Sequence, residues 1–322
     1  TERGNRVLPV SDHSSDIIHG LERLMKKYHV QIRLHCEVLE ILTENGIASG
    51  VKLKDHTVYT SDSVIVATGG LSYPTTGSTG DGYRFATETG HKVTECIPSL
   101  VPLTTREDYI PLMKGLSLRN VELTIKRGKK TVYQDFGEMM FTHFGITGPI
   151  VLSLSHTVGK LLRQKKQKPV TLELNLKPAL SAEQLDARIQ RDFLKYSRKQ
   201  LANGLGDLLP QRLIPVMIKE AGLDPEKVIN QISRTERQAL VHILQHWQLP
   251  VKGLRPVAEA IVTAGGLSVK EFKPQTMESK LVPGLYAAGE VLDVDAFTGG
   301  YNLQAAFSTG YVAAMHAVHG DE

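Results

Sequence analysis

The chain has 322 residues, enough for two or three domains, and its hydrophobic (41%) and charged (22%) fractions are those of an ordinary globular protein. No stretch approaches the roughly 18 consecutive apolar residues that a membrane helix needs, and the first residues resemble neither a signal peptide nor a transit peptide. The formal net charge of +4 is small for this length, and the basic run at 163–168 lacks interleaved aromatic residues, which favours a solvated loop over a nucleic-acid patch. Cys36 and Cys96 are too few for a disulfide framework or a four-cysteine metal site. We therefore expect a cytoplasmic protein with no membrane, nucleic-acid or metal partner.

The first hundred residues predict a helix followed by strands. Apolar residues at helical spacing predict a helix over 15–28: Ile17, Ile18, Leu21, Leu24 and Met25. Alternation over 31–35, its continuation over 37–43 and the Glu44-Asn45-Gly46 turn predict strands, with two more over 49–53 and 57–60. The run Ser63–Gly70 is apolar and ends in two glycines, which is typical of a buried parallel strand that meets a ligand at its carboxyl end.

The pattern then changes twice before an α/β pattern returns. Short β-like runs fill 101–178, and mostly helical periodicity follows over 179–250. A buried α/β pattern resumes near Ala258. The simplest interpretation is an α/β nucleotide-binding domain formed by residues 1–100 and 255–322 and interrupted by an inserted domain over 101–254. A substrate pocket is expected at the contact between the two domains.

Two glycine-rich segments in the first part of the chain carry a functional signal. Ala67-Thr68-Gly69-Gly70 closes a buried strand, and glycine there lets the backbone approach a ligand closely. Gly77-Ser78-Thr79-Gly80-Asp81-Gly82 leads into a predicted helix, whose unpaired N–H groups suit a phosphate or an electron-rich ring edge. Its spacing is GxxGxG rather than the GxGxxG of a dinucleotide fingerprint, and a simple helix start with Asp81 in the first turn is the alternative. Gly70, Thr79 and Gly80 are candidate cofactor contacts.

The third segment lies near the end of the chain. Gly289-Glu290 follows a hydrophobic strand and places a carboxylate where it can accept hydrogen bonds from ligand hydroxyls. Thr298-Gly299-Gly300-Tyr301-Asn302-Leu303 then opens a small-residue helix. The backbone N–H groups of Asn302 and Leu303 at its positive end would stabilise electron density on a reduced flavin ring. Gly289 and Gly300 are further candidate cofactor contacts.

These residues resemble the BaiN/YhiN-like family of FAD-dependent flavoproteins, which includes a bacterial aminoacetone oxidase. The matching stretches span nearly the whole chain in family order: Arg6–Asp12, Ala67–Gly70 with Ser72-Tyr73-Pro74, Thr76–Tyr83, Phe141–Pro149, and Met277–Tyr286 through Gly289–Asp293 to Gly299–Asn302. The resemblance implies a two-part, Rossmann-like FAD-binding domain interrupted by a β-barrel-like domain with a helical portion. It further implies roles in FAD binding for six residues: Val38 at the adenosine, Thr68 and Gly69 along the nucleotide side, Glu290 near the ribitol and pyrophosphate, and Asn302 with Leu303 at the pyrimidine edge of the ring.

One feature of the family is absent. Members begin with a strand and a GxGxxG loop, followed about twenty residues later by an acidic ribose ligand, and this sequence contains neither. We expect that the Rossmann-like domain is incomplete because its N-terminal βαβ unit is missing from the sequence.

The predicted activity is hydride transfer between flavin N5 and a small organic substrate. His143, in Phe141-Thr142-His143-Phe144-Gly145, is the candidate group for proton transfer near the reacting face. The direction stays open: an oxidase would pass electrons from an amine to O2, and a reductase would take them from NAD(P)H. Without a second nucleotide fingerprint, NAD(P)H would have to visit the flavin transiently. The alternative is a flavin- or nucleotide-binding module without turnover, whose insertion recruits a macromolecule.

Overall fold

The computed structural model describes residues 7–164 and 169–319, so most of the predicted solvated loop at 163–168 lies outside the described residues. The chain divides into two compact units. Unit 1 comprises Thr1–Cys96 and Thr263–Glu322, and unit 2 comprises Ile97–Val262. The predicted α/β class with a barrel-like insertion is confirmed by the elements of the two units.

Unit 1 mixes helices with three small sheets. Its elements are α1 (Ser15–Lys27), β1 (Val38–Glu44), β2 (Ile47–Leu53), β3 (Val58–Thr60), β4 (Val64–Val66), α2 (Asp81–Glu88), β5 (Val93–Ser99), β12 (Val262–Leu267), β13 (Leu285–Ala287) and α8 (Tyr301–His319). β1, β2 and β3 form an antiparallel meander. β4 pairs in parallel with β13, and β5 pairs with β12. The unit boundaries fall within β5, after Cys96, and within β12, after Val262.

The predicted strand over 31–35 is wrong. This segment has no regular structure, and Val30, Ile32 and Leu34 are each at least half exposed. An alternating segment becomes a strand only when a neighbouring strand satisfies its N–H and C=O groups, and no described residue pairs with this one in a ladder. The preceding α1 forms as predicted but buries none of its residues.

Unit 2 is built on a closed barrel of antiparallel strands. In barrel order these are β10 (Val170–Asn175), β11 (Trp247–Leu254), β6 (Leu103–Thr105), β9 (Gly145–Thr147), β8 (Lys130–Phe141) and β7 (Ser117–Arg127). Burial along β10 alternates residue by residue, as expected when one strand face lines a packed interior. Trp247 is fully buried between Phe141 and Tyr109, with ring centroids 5.7 and 6.2 Å away. The indole N–H donates to the Tyr109 hydroxyl at 3.2 Å, so the one polar atom of the side chain is paired.

Helices complete unit 2. They are α3 (Pro149–Arg163), α4 (Ala182–Lys195), α5 (Leu201–Gly204), α6 (Ile214–Glu220) and α7 (Arg234–Gln245). Capping boxes fix the starts of α4 and α7, where Ser181 and Ser233 each exchange hydrogen bonds with the residue three positions later. α4 to α7 lie between Ala182 and Gln245, and α3 is a helix within the range 101–178 that was predicted to be β-rich. Among the described residues, no helix combines the length and apolar character needed to cross a bilayer.

A buried histidine joins two segments of unit 1. His91 is only 5% exposed, and its Nε2 lies 2.7 Å from Ser279 Oγ. The backbone N–H groups of Leu281 and Val282 donate to the same oxygen at 3.0 and 2.9 Å, so the serine hydroxyl donates to an unprotonated Nε2. Nδ1 lies 3.0 Å from Thr89 Oγ1. Burial lowers the pKa of His91, because removal from water disfavours the charged ring.

Acid should destabilise unit 1 through His91. An unfolded histidine takes up a proton near pH 6.5, whereas the lowered pKa keeps folded His91 neutral to a lower pH. Stability is therefore fully present above about pH 6.5 and is lost as the pH falls towards the folded pKa. We expect the free energy of unfolding in urea, followed by far-UV circular dichroism, to fall more between about pH 7.5 and about pH 5.5 in the natural chain than in His91→Gln. Equal falls in both proteins would contradict the assignment.

Candidate functional site

The parallel pairing of β4 with β13 brings two glycine segments together. Val64 lies opposite Leu285 and Val66 opposite Ala287, and the pairing continues as the Ala288 N–H donates to the Val66 carbonyl at 3.0 Å. Because parallel strands end at the same edge of a sheet, Ala67–Gly70 and Gly289-Glu290 leave from one edge. In open α/β sheets ligands bind in the crevice outside that edge.

Thr263, in β12, forms hydrogen bonds with both of these segments. Its hydroxyl accepts from the Leu71 N–H at 2.7 Å and lies 3.1 Å from the Ser72 hydroxyl. Its own N–H donates to Glu290 Oε1 at 2.8 Å. Thr263 was not among the predicted site residues, although a polar residue in the otherwise apolar run Ala260–Gly266 is a usable signal. A buried hydroxyl in such a run needs partners, and here those partners define the site.

Glycine is required at two positions because neighbouring atoms leave no room for a Cβ. At Gly70 an added Cβ would overlap Thr263 Oγ1 and lie 2.6 Å from Glu290 Oε1. At Gly82, in the first turn of α2, it would overlap Thr68 Oγ1 and lie 2.8 Å from Val291 Cγ2. The second glycine segment therefore packs directly on the first, and both pack on the segment that carries Glu290.

The loop before α2 packs against the loop after β4. Gly69 has a φ of 72°, and a Cβ there would lie 2.8 Å from Ser78 Oγ. Thr79 is exposed, and its hydroxyl donates to Asp81 Oδ2 at 2.6 Å, which lowers the pKa of that carboxyl. Gly80 precedes α2 with a φ of 88°. The segment is thus a helix start with Asp81 in its first turn, and it also lies within the glycine cluster, so both interpretations of the sequence remain compatible with the geometry.

The third segment reaches the same cluster through α8. The Gly289 N–H donates to Thr309 Oγ1 at 2.9 Å, which ties the Gly289-Glu290 turn to the helix. At the start of α8, Asn302 Oδ1 accepts from the Ala296 N–H at 2.9 Å and Nδ2 donates to the Ala296 carbonyl at 3.0 Å. The side chain of Asn302 therefore holds the loop before the helix. The first backbone N–H groups of a helix have no intrahelical acceptor, so those of Asn302 and of the exposed Leu303 stay available to a ligand.

Gly300 and Val38 occupy less constrained positions. Gly300 has a φ of 91°, and a Cβ there would meet open space, so backbone conformation alone favours glycine. Val38 begins β1, and its carbonyl accepts from the Arg84 guanidinium at 3.3 Å. Arg84 also donates to the Leu39 carbonyl and pairs with Glu88 at 3.1 Å. The contact of Val38 with an adenosine stays a prediction.

His143 lies in unit 2, in the turn between β8 and β9. It is exposed, and its ring meets the edge of the Phe144 ring at a centroid distance of 4.9 Å. It lines an open cleft of about 560 Å³ together with residues of β6 and β11. Its role in proton transfer stays a prediction. Among the described residues, no group of histidine, cysteine, aspartate and glutamate side chains is arranged to hold a metal ion.

Several known proteins are similar in sequence to this chain over most of its length. The profile of the HI0933-like protein Rossmann domain matches residues 1–316. A ribosomal RNA dihydrouridine synthase of Haemophilus influenzae is 34% identical over 306 residues, which cover 94% of this chain and 72% of that protein. The protein of the same name from Escherichia coli is 30% identical over 95% of this chain and 73% of its own length. A 3-dehydro-bile acid delta(4,6)-reductase of Clostridium scindens is 28% identical over 98% of this chain and 76% of its own length.

The solved structures that match this chain are more distant in sequence. GidA of Aquifex aeolicus is 14% identical, with a TM-score of 0.33 over 92% of this chain and 49% of that chain. Sdh1 of Mycobacterium smegmatis, solved in complex with UQ1, is 15% identical, with a TM-score of 0.34 over 95% of this chain and 46% of that chain. This chain thus spans about half the length of the solved chains it matches. At these identities and TM-scores, neither match carries an argument about this protein.

A methyl group at position 70 tests the close packing of the cluster. Gly70→Ala should lower the free energy of unfolding by about 1–3 kcal/mol, because the new Cβ must displace Thr263 or Glu290. Gly310→Ala in α8 is the matched control, since a Cβ there meets no atom within 4 Å and alanine favours a helix by about 0.5–1 kcal/mol. Urea denaturation measures both. Equal stabilities for Gly70→Ala and the natural chain would show that the segments are not packed as described.

Proposed function

The chain belongs to the HI0933-like family of Rossmann-domain proteins, as its resemblance to the BaiN/YhiN-like flavoproteins implied, and we propose that it forms the cofactor-binding and substrate-binding parts of an FAD-dependent reductase. The observation that carries the proposal is the convergence of the glycine segments at the shared carboxyl edge of β4 and β13. Relatives supply the reaction class.

The residues of this edge fit a flavin dinucleotide. The hydroxyl oxygen of Thr68 is buried and has no hydrogen-bond partner among the described residues, a state that costs about 1–3 kcal/mol unless a ligand or solvent molecule satisfies it. Gly69 and Gly70 expose backbone where a side chain would obstruct a ligand. Glu290 uses one carboxylate oxygen on Thr263, and no described residue bonds the other. That second oxygen is free to accept a hydrogen bond from a ribitol or ribose hydroxyl.

The start of α8 fits the pyrimidine edge of the ring. The side-chain amide of Asn302 is hydrogen-bonded to the backbone of Ala296. Its contribution to a cofactor is therefore its backbone N–H, which lies beside that of Leu303. Donors at the positive end of a helix stabilise negative charge on a bound group. When bound, FAD supplies the site that accepts and donates hydride. The residues of this chain orient the cofactor and stabilise its reduced charge.

The names of the relatives favour reduction over oxidation. One is called a reductase of a bile acid, and two are called synthases of dihydrouridine, a form of uridine that carries two additional hydrogens. We therefore propose that hydride passes to a carbon–carbon double bond of the substrate, with NAD(P)H as the transient donor, rather than from an amine. We keep the prediction of a small organic substrate. The predicted absence of a nucleic-acid partner also stays a prediction, which the names of two relatives oppose.

Anaerobic reduction tests the proposal. The natural polypeptide should purify yellow, and NADPH or NADH should bleach its visible flavin absorbance, whereas an amine such as aminoacetone should not. A yellow protein that neither nicotinamide bleaches would favour a binding module without turnover. Bleaching by the amine alone would reverse the proposed direction.

Steady-state reduction of the substrate with NADPH as donor tests His143. If this histidine transfers a proton to the reacting substrate, His143→Ala should lower kcat for substrate reduction by about 100-fold and leave bound FAD unchanged. His242→Ala, which removes a histidine of α7 outside the cleft, is the control. An unchanged kcat in His143→Ala would remove His143 from the mechanism.

A further inference from the structure

Besides His143, the open cleft of unit 2 contains groups to which the proposed function assigns no role. It has a volume of about 560 Å³ and is formed where β6 ends, where β8 turns into β9, and along β11. Thr105, Arg106, His143, Phe144 and Lys252 supply its functional groups. All of them belong to one compact unit, so the cleft is a feature of unit 2 alone.

Two cationic side chains of the cleft have no ion-pair partner among the described residues. Arg106 and Lys252 are exposed, and neither side chain forms an ion pair with any described residue. The neighbouring Arg255 differs, because it bonds Glu259 at 2.9 Å and lies over the Phe144 ring at 4.5 Å. Guanidinium and ammonium groups without a carboxylate partner are the usual recognition elements for a phosphate.

A buried hydroxyl on the wall of the cleft also lacks a partner. Thr105 is 8% exposed, and its Oγ1 bonds no described residue. Its backbone is fixed, since β6 pairs with β11 at Val251 and the Thr105 N–H donates to the Phe144 carbonyl at 3.4 Å. An unpaired hydroxyl this deeply buried is uncommon in folded proteins and calls for an explanation. A ligand in the cleft provides one.

The remaining groups suit a ring and a sugar better than a bare anion. The ring of His143 is exposed and can stack on a planar group, and it lies at 79° to the ring of half-buried Phe144, over which Arg255 lies. Asp108 is an exposed carboxylate that can accept from ribose hydroxyls. Glu107 also lines the cleft; burial raises the pKa of its carboxyl, and its Oε2 accepts from the backbone N–H of Arg106 at 3.1 Å.

We propose that this cleft binds a nucleotide, with the phosphate between Arg106 and Lys252, the Thr105 hydroxyl donating to it, and the base against His143 and Phe144. The inference extends the proposed function by naming a ligand class and rests on it for biological meaning. Its test is binding rather than turnover, so either can fail while the other stands.

Calorimetric titration of the full chain tests the proposal with two probes. One is AMP, and the other is a single-stranded oligoribonucleotide of about six nucleotides. Arg106→Gln and Lys252→Gln should each weaken binding by about tenfold, because each removes one charge-assisted contact to phosphate. Lys129→Gln, an exposed cation of unit 2 outside the cleft, should bind as the natural chain does.

The two probes identify the source of the nucleotide. Equal affinities indicate a free nucleotide, and an oligoribonucleotide that binds at least about tenfold more tightly indicates an RNA strand. Either result supports nucleotide binding in the cleft if Arg106→Gln and Lys252→Gln weaken the binding of the probe. Failure of both probes to bind, or an equal loss in Lys129→Gln, overturns the proposal.

Thr105→Val separates a ligand-binding hydroxyl from a structural one. Valine keeps the shape and removes only the unpaired oxygen, so the thermal midpoint of unfolding should hold or rise while AMP binding weakens severalfold. A lower midpoint with unchanged binding would overturn the role of Thr105 in the cleft.

Discussion

The site in unit 1 depends on the contact of Thr263, Glu290 and Gly70. Glu290 places a carboxylate oxygen on the backbone N–H of Thr263, and the hydroxyl of Thr263 accepts from Leu71, so two strand ends and a third segment meet at atoms only 2.7–2.8 Å apart. The space is so small that position 70 admits no Cβ. Buried polar groups tolerate such proximity only when each is paired. This constraint brings segments nearly two hundred residues apart to one edge of the sheet, where the proposed function places the unpaired hydroxyl of Thr68 and the second oxygen of Glu290 against the cofactor.

The two units contribute different chemistry. The groups of unit 1 that we propose to bind the cofactor are backbone, a helix start and one carboxylate, and binding through shape and helix dipole requires little fixed positive charge. Unit 2 presents a cleft with uncommitted cations on a closed barrel, and its side chains are held by strands that are paired on both sides. A barrel supplies rigid positions for exposed groups because its interior is fully packed, here around Trp247. From these two sets of groups we propose that unit 1 holds the redox cofactor and that unit 2 selects the ligand.

Much of this arrangement was predictable from local patterns, and the failures have physical reasons. The helix periodicity of α1, the small-residue run of α8, the turn at Asn45-Gly46 and the glycine-terminated strand at β4 are local signals, and each of these elements formed. The segment 31–35 alternates like a strand but lacks a partner strand, and pairing is a tertiary property that alternation cannot report. Thr263 was missed because its importance lies in two long-range hydrogen bonds. The side chain of Asn302 turned out to hold its own loop, which a motif alone does not reveal.

Affinity for FAD in two variants of Thr263 measures the central claim most directly. Thr263→Ser keeps the hydroxyl that accepts from the Leu71 N–H. Thr263→Val keeps the branched shape of the side chain but removes that hydroxyl. Titration of the natural polypeptide and both variants with FAD, with far-UV circular dichroism to confirm folding, should show near-natural affinity in the serine variant and a loss of about tenfold in the valine variant. Equal affinity in all three proteins would mean that this contact does not organise the cofactor site.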